Sequence, residues 1–150
     1  MTGTETDLEL VARLRVAVAR LNRQLRQQAG TGLPLSLQSA LISIERHGPV
    51  SLGALADIEQ IAPATVTKIV TKLVDAGLVA RTGDPGDRRV SRVELTAAGA
   101  AQLAESRSRR TAWLATRIAA PDAPGPEELR VAADVLEALA RPPGRAEEGA

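Results

Sequence analysis

The spacing of apolar positions along this chain changes period twice, and the changes mark its elements. Val11, Leu14, Val18, Leu21 and Leu25 recur in steps of three and four, the seam of an amphipathic helix predicted over residues 7–29. Leu37, Leu41 and Ile44 keep the helical period in a second segment, 36–46, with Ser36 placed as its N-cap. Ser51 stands where a third, short helix over 52–58 should be capped, and Val50 and Leu55 have the spacing of a hydrophobic staple across its start. Pro63 suits the first position of a fourth helix, where a missing N–H costs nothing, and Gly77 suits its stop, which predicts a helix over 63–76. Its Val66, Ile69, Val70 and Leu73 form one apolar stripe. Strand signals then replace the helical period. Residues 78–81 and 90–95 read as strands joined through the turn cluster Gly83-Asp84-Pro85-Gly86, with Val93 and Leu95 on one face. After Thr96, a further N-cap candidate, a helix over 97–119 carries Leu103, Leu114 and Ile118. The stretch from Pro121 to Pro126 breaks it. A last helix opens on Glu127-Glu128, favourable at a positive helix terminus, and repeats Leu129, Ala132, Leu136 and Leu139 at seam spacing.

The polar complement of the fourth helix is the first sign of chemistry. Ala64, Lys68, Thr71 and Lys72 fall opposite its apolar stripe, Thr65 and Thr67 flank them, and no acid interrupts that face before Asp75. Small residues let a helix sink into the major groove of DNA, Thr can bond base edges or phosphates or touch a thymine methyl, and Lys neutralises phosphate. An ordinary solvated helix face is the plainer reading of such a surface taken alone, and its surroundings shift the balance. The short third helix and the six residues 57–62 before the fourth leave room only for a tight turn between crossed helices, which is helix-turn-helix spacing. Downstream, the hairpin carries Asp87-Arg88-Arg89 at its tip. Guanidinium groups on a narrow protrusion suit the minor groove, and an acid beside them reads as a positioning partner for an arginine, or as a plain turn-forming Asp.

With those residues in place, a family resemblance can be stated. Asp87-Arg88-Arg89 followed by Leu95-Thr96 and Gly99 resembles the wing signature D-x-R-x5-L-T of the MarR family of bacterial transcriptional regulators. Leu55-Ala56, Pro63-Ala64-Thr65-Val66-Thr67, Leu73 and Gly77-Leu78-Val79-Ala80-Arg81 are similar to it as well. The likeness covers 37–99 by motif and the flanking helices by pattern and length. It implies a mainly α fold with a small β-hairpin wing, in which a winged helix-turn-helix joins a terminal-helix dimerisation bundle, and a homodimer that binds a near-palindromic operator in double-stranded DNA. It also implies that Arg89 reaches the minor groove while Asp87 helps hold it. The DNA-contacting set expected on both grounds is Ala64, Thr65, Thr67, Lys68, Thr71, Lys72, Asp87, Arg88 and Arg89. The domain reading is a single unit over 1–150, with the winged part over 36–96, dimerisation helices over 7–30 and 97–141, and a tail over 142–150. Two departures stand out: Glu59 occupies a position commonly apolar in helix-turn-helix units, and Gln60 replaces the usual turn glycine. Glu59 is expected to be partly exposed and paired to a nearby basic group.

Composition bounds these expectations. The chain has 150 residues and a formal charge of +1, so the argument for a nucleic-acid partner depends on where its charges sit and not on their sum. Both of its lysines, Lys68 and Lys72, lie one turn apart on the face just described. Trp113 is the one aromatic residue, which makes the core aliphatic; Trp113 itself reads as a core or dimer-interface residue before a ligand contact. The resemblance allows a small-molecule effector that weakens DNA binding, for which an aliphatic pocket is expected, with ligand residues unknown. Lack of cysteine removes disulfides, cysteine-based zinc sites and thiol sensing, and the solitary His47, which should end the second helix, has no His or Cys partner for a metal. No metal, cofactor or enzymatic activity is expected: Tyr and Cys are absent and no phosphate-binding glycine loop is present. An acidic N-terminus without an apolar run, and no apolar stretch of membrane-spanning length, point to a cytoplasmic protein, nucleoid-associated when bound to DNA. Arg107, Arg109 and Arg110 read as a solvated face or as partners for acids of a second subunit. The alternative function is a winged helix used for protein contact, without specific DNA binding.

Overall fold

A computed structural model describes residues 6–141 of the chain; the expected tail over 142–150 lies outside the described residues. By internal contacts the chain divides into units 1–113 and 114–150. In the first unit, α1 (Asp7–Gln28) begins where the Thr6 hydroxyl accepts from the Glu9 amide and the Glu9 carboxylate accepts from the Thr6 amide, a reciprocal cap that satisfies two orphan donors. Then follow α2 (Leu35–His47), β1 (Val50–Ser51), α3 (Leu52–Glu59), α4 (Pro63–Asp75), β2 (Val79–Gly83) and β3 (Ser91–Leu95), and α5 (Ala97–Ile118) leaves the sheet. The strands form one antiparallel sheet in the order β1-β3-β2, with Val93 of β3 opposite both Val50 and Arg81.

The core is where the three helical stripes meet the sheet. Leu41 and Ile44 of α2, Leu55 of α3, Val66, Val70 and Leu73 of α4 and Val93 of β3 are fully buried. Each such side chain contributes about 1.5–3 kcal/mol relative to exposure, so this aliphatic cluster orients α3 and α4 against the hairpin without any aromatic ring.

The corner between α4 and the hairpin is closed by a set of hydrogen bonds that also launches α5. Gly77 adopts the left-handed region at φ +74°, its amide donates to the Val74 carbonyl at 2.9 Å, and the Leu78 amide donates to Leu73 at 3.0 Å. That is a Schellman closure, which needs a residue free of Cβ at Gly77. Thr96 then locks onto the same corner: its amide donates to the Leu78 carbonyl at 3.1 Å and its hydroxyl to the Gly77 carbonyl at 2.6 Å, while the hydroxyl accepts from the Gly99 amide at 3.1 Å as the cap of α5. A Cβ on Gly99 would stand 2.1 Å from the Leu78 carbonyl oxygen. Leu95-Thr96 and Gly99 are therefore joint residues, and their spacing has a structural cause.

Several expectations need correction. α2 starts at Leu35 with Pro34 as N-cap and no side-chain cap, so Ser36 is inside the helix; the fixed φ of proline sets the start earlier than the hydroxyl would. The first hairpin strand is 79–83 and not 78–81, because Leu78 is used in the Schellman closure. β1 was not expected at all. Arg107 stays exposed, and an acid of its own chain meets it: it pairs with Glu45 of α2 and holds that carboxyl below its ordinary range. Arg109 pairs with Glu105 and donates to the Ala29 and Gly30 carbonyls at 3.3 and 3.2 Å, closing the C-terminal end of α1. His47 does end α2.

What the core leaves out is as informative. α1 has no buried residue, and Val11, Leu14, Val18 and Leu21, four of its five seam residues, are exposed. In the second unit, α6 (Pro126–Ala140) is capped by Glu128, whose carboxylate accepts from the Gly125 amide at 2.8 Å, and it too buries nothing: Val131, Val135, Leu136 and Leu139 are open.

Candidate nucleic-acid interface

The expected contact residues occupy two places, the outward side of α4 and the hairpin tip. On α4 the division by burial follows the helical period. Val66, Ile69, Val70 and Leu73 are buried, whereas Ala64, Thr65, Thr67, Lys68, Thr71 and Lys72 are all exposed. The first turn has Pro63 at its start and no acid, and the aligned peptide dipoles give that end a partial positive charge that suits a phosphate. The turn that carries α4 away from α3 is tight because Gln60 takes the left-handed conformation, φ 55° and ψ 43°, that glycine would take without strain. Its side-chain amide donates to the Asp57 carbonyl at 2.8 Å and partly offsets that strain. Glu59 is half-buried, as its position suggested, but its partners are hydroxyls and not a base. Ser39 Oγ donates to it at 2.7 Å and Ser43 Oγ donates to its other oxygen. The two serines are one turn apart on α2, which crosses the end of α3, so they reach the carboxylate from the neighbouring helix and fasten α3 to α2.

The hairpin tip is built by two aspartates. Asp84 Oδ1 accepts from the Gly86 amide at 2.8 Å, while its Oδ2 accepts from Arg92 Nε at 3.1 Å and Nη2 at 3.0 Å. The Gly86 N–H first, and Arg92 second, hold the Asp84 carboxyl below its ordinary value of 3.8. Asp87 Oδ1 accepts from the Arg89 amide at 2.9 Å and lies 3.4 Å from Arg89 Nε. An aspartate accepting from the amide two residues on is the turn-forming use of this residue, and here it also sets the direction in which Arg89 leaves the tip. The Arg89 side chain is 92% exposed, and Arg88 is exposed as well. Of the two acids at the hairpin tip, one faces inward onto Arg92 and the other supports Arg89, so neither stands as a free negative charge against an approaching phosphate.

One candidate the sequence reading passed over is Arg81. It lies on β2 opposite Val93, is exposed, and donates from Nη2 to Thr71 Oγ1 at 3.1 Å, tying the hairpin to the outward face of α4. A cation in register with Val79, on the core-facing side of a strand, was the available signal, since such a side chain has to leave the core past the neighbouring helix. Among the described residues no group of His, Asp and Glu could hold a metal, and no helix is long and apolar enough to cross a membrane.

Comparison with known proteins agrees with this geometry. Residues 33–91 match the model of the MarR family. An HTH-type transcriptional regulator of Mycobacterium bovis is 36% identical over 136 residues, covering 90% of this chain and 95% of its own. The transcriptional repressor NicR of Pseudomonas putida is 40% identical over 91 residues, 60% of this chain and 58% of its own. Among solved structures, a MarR family protein from Bacillus stearothermophilus superimposes with a TM-score of 0.75 at 26% identity, covering 93% of this chain and 96% of its own.

Proposed function

The chain belongs to the MarR family and is a transcriptional regulator, not an enzyme; on that premise we propose that two copies of it bind one near-palindromic operator and repress the genes beside it. In this reading α4 enters the major groove with Ala64, Thr65, Thr67, Lys68, Thr71 and Lys72, and the wing lays Arg88 and Arg89 in the adjacent minor groove. The observation that carries the reading is the partition of α4: every residue assigned to the groove is exposed, and the residues between them are core. Protein contact through the same face is the weaker reading, because an acidic or large apolar patch is what it would need and α4 offers hydroxyls and ammonium groups there.

Dimerisation is supported by α1 and α6. Both are amphipathic and carry exposed apolar stripes. An isolated helix is marginal in water, so stripes of this size are stabilised by a second copy. Two copies would present two α4 helices to successive major grooves about 34 Å apart. Repression, rather than activation, follows the P. putida relative. An effector has room in a cleft of about 350 Å³ between the end of α1 and α2, lined by Arg23, Arg26, Thr31, Leu33 and Gln38. That lining sets Arg23 and Arg26 beside the aliphatic Leu33 and Leu35, and the Gln38 amide nitrogen is buried without a partner there. It suits a carboxylate-bearing ligand.

Selection of bound sequences from random duplexes tests the operator reading. Enriched inverted repeats with half-site centres about 10 base pairs apart, bound by a dimer and weakened steeply by salt, are expected. A monomer at binding concentrations, or no enrichment at low ionic strength, would overturn it. A carboxylate effector should raise the melting temperature of the free protein and lower operator affinity, and Gln38→Leu should abolish both effects.

A further inference from the structure

Two of the hydroxyls on the outward side of α4 are already committed. Thr67 Oγ1 donates to the Pro63 carbonyl at 3.1 Å, and Thr71 Oγ1 donates to the Thr67 carbonyl at 2.8 Å. A hydroxyl has one proton to give, so both donors are spent on the helix's own backbone four residues earlier, an arrangement open to Thr in a helix. Thr71 is held more firmly, since its oxygen also accepts from Arg81 Nη2 at 3.1 Å. Turning that hydroxyl toward a base would break two hydrogen bonds. What the two threonines keep for a base edge is a methyl group each and unused oxygen lone pairs.

At 3.6 residues per turn, Thr67, Thr71 and Ala64 lie within roughly 60° of the helix circumference, and all three are exposed. They make a ridge of methyl groups without a hydrogen-bond donor, and Lys68 and Lys72 lie beside it. The major-groove edge of guanine shows only acceptors, N7 and O6, whereas an A·T pair shows an adenine amino donor and the thymine C5 methyl. Resting on the placement of α4 in the major groove proposed above, we infer that the Ala64, Thr67 and Thr71 ridge selects A·T pairs by packing on thymine methyl groups. Cytosine offers an amino group to the same lone pairs, so the choice of thymine over cytosine depends on the methyl.

The test uses the full-length protein and a duplex selected by it from random sequence. Each thymine of a half-site is replaced singly by deoxyuridine, which removes only the C5 methyl. At one or two positions per half-site affinity should fall about fourfold, the worth of one buried methyl-sized group, and cytosine placed there should regain affinity when methylated at C5. Thr67→Val, which keeps the methyl and loses the hydroxyl, should keep the sensitivity to deoxyuridine; Thr67→Ser, which keeps the hydroxyl and loses the methyl, should lose it. Equal binding of deoxyuridine at every position overturns the inference with no variant needed, as does loss of binding in Thr67→Val with rescue in Thr67→Ser. Enrichment of no duplex at all would refute the operator reading beneath it, which separates the two failures.

Discussion

Arg89→Ala should separate binding from folding more cleanly than any other change in this chain. The side chain is 92% exposed, and its contact to Asp87 through Nε is long at 3.4 Å, so its removal deletes almost no native packing. Exposed substitutions of this kind change stability little, and the melting temperature should stay within about 2 °C. In the complex the same side chain supplies a charge-assisted hydrogen bond, worth about 1.5–3 kcal/mol. The lower figure suits a tip with solvent around it, and a dimer carries two tips, so the loss is about 3 kcal/mol or roughly a hundredfold in affinity. Two fewer phosphate-neutralising charges should also flatten the plot of log affinity against log salt by about 1.8. Fluorescence anisotropy on a selected duplex at several salt concentrations reads both quantities. Arg89→Lys should restore most of the slope and only part of the affinity, because the ammonium keeps the charge and loses the fork. An affinity change under threefold with an unchanged slope would show that Arg89 does not meet DNA; a melting temperature lower by more than 5 °C would show that the exposure argument is wrong.

Three further outcomes follow from particular geometries. Gln60→Gly relieves a left-handed backbone costing about 1–2 kcal/mol and forfeits one exposed hydrogen bond and some unfolded-state restriction, so calorimetry should show a rise of about 1–2 °C; a fall would mean that the amide bond to Asp57 outweighs the strain. Gly99→Ala puts a Cβ against the Leu78 carbonyl, 2.1 Å away, and should cost about 2 kcal/mol, seen as a drop of several degrees in melting temperature; an unchanged transition would contradict the close approach of α5 to the hairpin corner. Because the folded-state carboxyl of Asp84 titrates below its unfolded value, the stability it contributes is present above about pH 4 and is lost as pH falls through the lowered folded value. Amide resonances of Gly86 and the Arg92 Nε–H should shift together in that acid window, and a midpoint above pH 4 would refute the assignment.

Much of this protein was legible in its residues because local rules acted without opposition. The helical stripe of α4, the Ser51 cap, the Pro63 start and the Gly77 stop are each decided by neighbours within a turn, and the structure has them where the spacing put them. The positions of the candidate contact residues came with that periodicity: once Val66, Ile69, Val70 and Leu73 are inside, Lys68 and Thr71 must be outside. Single-residue chemistry also carried the Asp87 turn, since an aspartate can reach an amide two residues on without help from elsewhere.

Tertiary structure decided whatever depends on who is brought near whom. β1 is two residues long and has no period to read; it exists because β3 passes beside Val50 and Ser51. The partners of Glu59 come from α2, sixteen and twenty residues away in sequence, and the nearest donors there are serine hydroxyls and not the cation that charge alone suggested. Arg107 and Arg109 remain exposed on their own helix, and only the fold brings them the carboxylate of α2 and the two carbonyls at the end of α1. The commitment of Thr71 to Arg81 needs the α4–β2 corner to fold first. Periodicity tells each residue which side of its own element it faces; only packing chooses the group it meets, and hydrogen bonds and ion pairs act over distances that sequence separation does not measure.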